Sequence, residues 1–292
     1  MARKPTKKVT PYLFLLPNMV LFGAFTIIPA FYGLYISLTR WDIITKPRFV
    51  GLMNYVELLN DPYFWNALQR TFSYVAVVIV LQFFTSLALA LLLAKPIRLI
   101  GLYRATFYMP TMLSFIVIGV IWQWIFGDTF GVVNHLLELA ALPRVRWLTT
   151  PFTANLSVAL ATVWARLGFY MVIFVAGINA ISDVYYEAAE IDGASRWQRF
   201  RHITFPLLRP TNLLVVVLCM IESFKVFGLV LSMTSGGPGM STTYLIQHVY
   251  ETGFDQNRMG YASAQSIILF AILLILTTLQ LKLTKGGEVD AY

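Results

Sequence analysis

The sequence predicts an all-α, polytopic membrane protein with six transmembrane helices and both termini on the cytoplasmic side. Three observations carry that expectation. Of 292 residues, 58% are hydrophobic and only 12% charged, about half the charged share of a soluble domain. The apolar residues gather into six runs, each near the roughly 20 residues that cross a hydrocarbon core. Lys and Arg are unevenly shared among the segments between those runs, which sets orientation. The runs leave no room for a separate soluble domain. The chain therefore divides into a short tail (1–10), a six-span domain (11–283) and a second tail (284–292).

The elements follow in order. Arg3, Lys4, Lys7 and Lys8 open the chain, and no charge appears from Val9 to Thr39. A signal peptide has an apolar core of only about 7–15 residues. This run is longer and shows no convincing cleavage site, so it reads as an uncleaved first span, Pro11–Leu38, with kinks expected at Pro17 and Pro29. Trp41–Gln69 is polar and aromatic, with Tyr55, Tyr63, Phe64 and Trp65 suited to a membrane interface. Within it Leu52–Leu59 can form a short amphipathic helix closed by Asn60-Asp61-Pro62. The second span is Phe72–Ala94. A loop with Lys95, Arg98 and Arg104 leads to the third, Ala105–Phe126, with Pro110 near its start. Gly127–Thr153 is a loop containing a helix around Val132–Ala140. The fourth span is Ala154–Ile181, the fifth Thr211–Met233 and the sixth Gly260–Leu283.

Between the fourth and fifth spans lies a helical hairpin, Val184–Pro210. Its first helix, around Tyr185–Ile191, ends at Asp192-Gly193, because glycine accepts the left-handed conformation that closes a helix. Its second opens on Ser195, with Gln198 completing a capping box, and is expected to stop before Pro206. With the N-terminus inside, the inner segments hold 13 Lys and Arg and the outer loops 7. That balance places the hairpin, with Arg196, Arg199, Arg201 and Arg209, in the cytoplasm.

Composition excludes several functions. The net charge of +8 comes from cations beside membrane spans, not from a basic patch interleaved with exposed aromatics, so nucleic acid is not a partner. Cys219 stands alone in an apolar run, and His135, His202 and His248 are scattered, so no metal site is expected. No G-x-x-x-x-G-K-[ST] phosphate loop is present, so any ATP and Mg are bound elsewhere. Arg166, Glu222 and Lys225 lie inside expected spans, where a charge is costly and marks a functional site by default. Counting from the inner ends of spans four and five puts Arg166 and Glu222 at similar depth, roughly 20 Å in. They can pair across the helices, and Glu222 and Lys225 are three apart on one face. A polar lining for a transport path and a structural ion pair are both open, and they are compatible. Trp122, Trp124, Trp164 and Tyr170 can line a sugar path or serve as interface anchors and packing.

Glu187-Ala188-Ala189, Gly193, Ile203 and Pro206 resemble the EAA loop of ABC importer permeases, with Phe205 where leucine is usual. The stretch Met220–Phe254 with its Gly236–Gly239 loop, the stretch Gly260–Phe270, and the segment Phe49–Leu68 resemble the carbohydrate branch of that family, the maltose and glycerol-3-phosphate transporters. The resemblance implies a catalytically silent permease subunit in a bacterial cytoplasmic (inner) membrane. It implies four kinds of partner: a second homologous permease, two ATPase subunits that carry ATP and Mg, an extracytoplasmic sugar-binding protein and the lipid membrane. It places ATPase coupling on Glu187, Ala188, Ala189 and Gly193, with Asp192 and Arg196 beside them. Substrate-path positions are Arg166, Glu222, Lys225, Trp122 and Tyr170. An importer of a non-sugar, such as a glycerol phosphodiester, shares the architecture. An intramembrane enzyme would need paired catalytic groups at one depth, and the charged trio offers no nucleophile. An ion-coupled secondary transporter would show internal repeats, and none is convincing.

Overall fold

The computed structural model of the chain describes residues 10–95 and 98–284. The basic residues Arg3, Lys4, Lys7, Lys8 and Lys285, and with them most of both expected tails, lie outside the described residues. Contacts divide the chain into two compact units, one running up to Pro62 and including Val249–Ala271, the other Tyr63–His248 with residues from Ile272 onward.

The first unit begins with α1 (Thr10–Phe22), a π turn (Gly23–Ile27) and α2 (Ile28–Ser37). Tyr12–Ser37 counts as one apolar helix of 26 residues, and none of its most apolar window is buried within the chain. The helix continues through both prolines where kinks were expected. The wider π geometry immediately precedes Pro29, where an ordinary turn would meet a ring clash and a missing N–H. Next comes a two-stranded hairpin, β1 (Thr39–Arg40) antiparallel to β2 (Arg48–Phe49). The sequence reading missed it, because strands of two residues carry no periodicity. The short helix expected at 52–59 is present as α3 (Met53–Leu59). Its buried Asn54 donates to the Ser37 and Thr39 carbonyls at 2.7 and 2.9 Å, which ties α3 to the end of α2.

The second unit is helical. α4 (Pro62–Leu93) and α8 (Pro151–Asn179) are long and apolar enough to cross a membrane. The third expected span is not one helix. α5 (Ile100–Tyr108) passes through a 3-10 turn (Met109–Met112) and the chain then turns by 102° into α6 (Phe115–Ile125). Pro110 weakens the helix there, and Ser114 caps the new one by accepting from the Val117 N–H. α7 (Val132–Leu139) occupies the expected place in the next loop. The hairpin comprises α9 (Asp183–Ile191), α10 (Arg196–Arg199), a π turn (Phe200–Thr204) and α11 (Phe205–Leu207). Its second arm therefore runs past Pro206 rather than stopping before it. In the π turn the Phe205 N–H reaches back five residues to the Phe200 carbonyl, so proline's missing N–H falls where the regular ladder is already interrupted.

The fifth expected span is also broken. α12 (Arg209–Phe224) ends where span five was expected to continue, and α13 (Gly228–Met233) resumes after Lys225–Phe227. Lys225 sits at the C-terminal cap, where a cation complements the exposed carbonyls. α13 then packs on α6, and the crossing requires Gly119: a Cβ there would lie 1.9 Å from the Ser232 Oγ and 2.7 Å from the Leu229 carbonyl. α14 (Leu245–Tyr250) and a π turn (Glu251–Asp255) lead to the last apolar helix, α15 (Met259–Leu283).

Candidate functional site

Within the second unit, α4, α8 and α12 enclose a cavity of about 320 Å³. α8 contributes Arg166, Thr162 and Tyr170. α12 contributes Glu222, and the break after it supplies Lys225. The Arg166 guanidinium stands 3.5 Å from the Glu222 carboxylate and 4.8 Å above the centre of the Phe115 ring. The Lys225 ammonium is 3.1 Å from the same carboxylate. One carboxylate thus faces two cations, which lowers the cost of holding charge in an apolar surrounding. All three side chains keep partial exposure, so the cluster is accessible rather than sealed. Two wall atoms lack hydrogen-bond partners among the described residues: the Nε of Arg166, a donor, and the Oε1 of Gln82, an acceptor. Gln82 uses its amide nitrogen on Ser86 at 2.8 Å.

The helices that carry Arg166 and Glu222 run straight into the hairpin. Arg166 is thirteen residues before the end of α8, and Glu222 thirteen after the start of α12, or about 20 Å of helix each. The hairpin is locked by local hydrogen bonds. The Gly193 N–H bonds the Glu190 carbonyl at 3.1 Å, and the Ala194 N–H bonds the Ala189 carbonyl at 2.9 Å. This is the Schellman closure, with Gly193 at φ +73°. Ser195 and Gln198 form the expected capping box. Glu190 pairs with Arg199 at 3.2 Å, and the Tyr186 hydroxyl meets that of Thr204 at 2.9 Å. Glu187 makes no ion pair among the described residues. It is exposed with Ala188, and Ile191 and Trp197 are exposed beside them, at 88% and 65%.

Residues 86–286 match the family described as binding-protein-dependent transport system inner membrane component. The chain is 33% identical to the probable starch degradation products transport system permease protein AmyD of Thermoanaerobacterium thermosulfurigenes, over 96% of this chain and 95% of that one. It is 33% identical to the trehalose/maltose transport system permease protein MalF of Thermococcus litoralis, over 93% and 92%. This chain belongs to that family. It is an ABC transporter permease and a multi-pass protein of the inner membrane. The sn-glycerol-3-phosphate transport system permease protein UgpA of Agrobacterium fabrum is 35% identical over 94% of each chain. The permease fold is shared with a bacterial ABC transporter involved in the import of the acidic polysaccharide alginate, at a TM-score of 0.83, 23% identity and coverage of 94% and 95%.

In this permease, Arg166, Glu222, Lys225 and Tyr170 line one cavity. Trp122 does not line it. Its ring lies 5.0 Å from Phe126 and 5.6 Å from Trp164, in an aromatic cluster that includes Trp147. Gln82, Thr162, Phe115 and Phe227 line the cavity and were missed. Gln82 had a signal: it is the only amide in the uncharged run of span two. The Gly236–Gly239 loop is pinned within its own unit. The Thr243 hydroxyl donates to the Gly236 carbonyl, Arg70 donates to the Met240 carbonyl at 2.6 Å, and Asn155 donates to the Ser241 carbonyl at 3.1 Å.

Proposed function

We propose that this permease forms half of the path for a sugar or oligosaccharide in an ATP-driven importer. Six spans, with the bent pairs each crossing once and both termini inside, put the hairpin in the cytoplasm. The partners are a second permease, an extracytoplasmic binding protein and two ATPase subunits that supply ATP and Mg. The ATPases dock on the hairpin through Glu187, Ala188, Ala189, Asp192, Gly193 and Arg196. One observation carries the reading: the cavity sets a charged trio, Arg166, Glu222 and Lys225, beside the polar side chains of Gln82, Thr162 and Tyr170 and the Phe115 ring. A sugar hydroxyl is both donor and acceptor, and its ring has an apolar face, so a polyol can satisfy each of these groups. The relatives' names, for starch degradation products and trehalose or maltose, support the same class.

The mechanism follows from connectivity. A docked hairpin moves with the ATPases as a rigid body. Because it joins α8 directly to α12, that motion tilts the two helices carrying Arg166 and Glu222 and opens or closes the cavity between them. The test is uptake of labelled maltooligosaccharide, trehalose and glycerol 3-phosphate into vesicles holding the complete importer. Gly193→Val or Glu187→Ala is expected to abolish uptake and stimulated ATP hydrolysis together while assembly of the two permeases survives. Uptake that persists without an ATPase would sink the proposal.

A further inference from the structure

The first unit holds a polar cavity of its own, of about 430 Å³, formed by the β1–β2 hairpin, α3 and the start of α15. Arg40, Lys46 and Arg48 line it. Arg40 and Arg48 are register partners across the two strands. Directly opposed residues have Cβ atoms about 5 Å apart, and like charges there repel. Asp42 and Glu57 line the cavity too, and these carboxylates and the nearby Asp61 already have partners. Asp42 accepts from the Thr45 N–H and hydroxyl, both at 2.7 Å. Glu57 pairs with Arg258 at 2.5 Å, and Asp61 accepts from the Tyr261 hydroxyl at 2.6 Å. Among the described residues, Arg40, Lys46 and Arg48 make no ion pair. Their arrangement is held by other bonds. The Trp41 indole donates to the Thr45 carbonyl at 2.9 Å, and the Gly260 N–H donates to the Trp41 carbonyl at 3.3 Å. A Cβ on Gly260 would lie 1.9 Å from the Thr39 carbonyl, so only glycine permits that approach.

Four cations, Arg40, Lys46, Arg48 and Arg258, line one cavity against two carboxylates that are already engaged; that excess makes an anion site, and the surroundings say which anion. The hairpin follows directly on Tyr12–Ser37, the apolar helix that buries none of its most apolar window. Beside the cations Ile44 and Phe49 are largely exposed, and α3 turns Met53, Val56 and Leu59 outward while burying Asn54 and Leu58. Cations set among exposed apolar and aromatic residues at the end of a span belong to the headgroup layer. A water-soluble acidic partner gives no reason for that apolar rim. We propose that this cavity binds the phosphate of an anionic phospholipid headgroup, anchoring the end of the first span.

The test is native mass spectrometry of the full chain in mild detergent, titrated with phosphatidylglycerol or phosphatidylcholine. The wild type is expected to retain phosphatidylglycerol in preference. Each cation removed, as in Arg48→Gln or Lys46→Gln, lowers that preference by roughly fivefold, and Arg40→Gln with Arg48→Gln abolishes it. Arg40→Lys with Arg48→Lys keeps most of it, and Arg144→Gln in another loop leaves it unchanged, which separates charge from misfolding. Equal retention of the two lipids, or a preference unaffected in the double Gln variant, overturns the proposal. So does displacement of the lipid by an equal concentration of inorganic phosphate, which would make the site one for a free anion. A double Gln variant that keeps its lipid but no longer co-elutes with the binding protein would assign the cavity to an acidic protein surface and overturn it equally.

Discussion

Arg166 and Lys225 converge on the carboxylate of Glu222, at 3.5 and 3.1 Å, whereas Arg40 and Arg48 are register partners across two strands and neither forms an ion pair among the described residues. The two groups of cations are similar in number and differ in setting. The first lies on helices that run through apolar surroundings, where an unpaired charge costs several kcal/mol. The chain therefore carries its own counter-charge. The second lies in the loop that follows a span, where water screens repulsion until an anion arrives. The difference teaches that depth decides whether a basic cluster must be neutralised from within or can be left to bind something from outside.

That contrast can be broken most severely at Glu222. Glu222→Gln leaves two cations around one cavity and is expected to cost about 2 kcal/mol, less than a fully buried pair because all three side chains are partly exposed. Thermal unfolding in detergent measures the loss, and uptake should fall with it. Exchanging the charges, Arg166→Glu with Glu222→Arg, should recover part of both. A double variant no better than either single one would show that the pair does not act directly. A milder effect sharpens the same side of the comparison. Gly168 lets α8 meet α5, and a Cβ there would lie 2.1 Å from the Phe107 carbonyl. Gly168→Ala displaces the helix that presents Arg166, with a stability loss of about 1–2 kcal/mol and a visible drop in melting temperature. The smallest effect has the opposite sign. In neutral detergent, Arg48→Gln removes a repulsion and should stabilise the chain by about 0.5 kcal/mol. A destabilisation there would mean that Arg48 has a partner within the protein.

The hairpin's turn and second cap were legible from residues alone, because their bonds reach no further than five positions along the chain. Gly193 supplies the left-handed turn, and Ser195 and Gln198 cap each other. The depth of Arg166 and Glu222 followed from counting helical residues, and the structure brings them within 3.5 Å. The reading failed where a helix was interrupted without a local stop signal strong enough to see. It carried the fifth span through Lys225–Phe227, and it stopped the hairpin's second arm at Pro206, which a π turn absorbs. Trp122 was open to lining a path or to packing, and its ring packs against Phe126 and Trp164.

By itself the sequence determined the membrane class, the long apolar helices, the hairpin and the presence of three charges where none is cheap. Each of these depends on composition, periodicity or bonds between near neighbours. Only the tertiary structure decided that Gln82, Thr162 and Phe115 share a cavity with those charges, that α13 leaves α12 to pack on α6, and that Arg40 and Arg48 oppose each other. Those outcomes depend on which helices meet and in what register. Steric fit at positions such as Gly119 and Gly168 sets that register, and a one-dimensional pattern does not contain the surfaces that must fit.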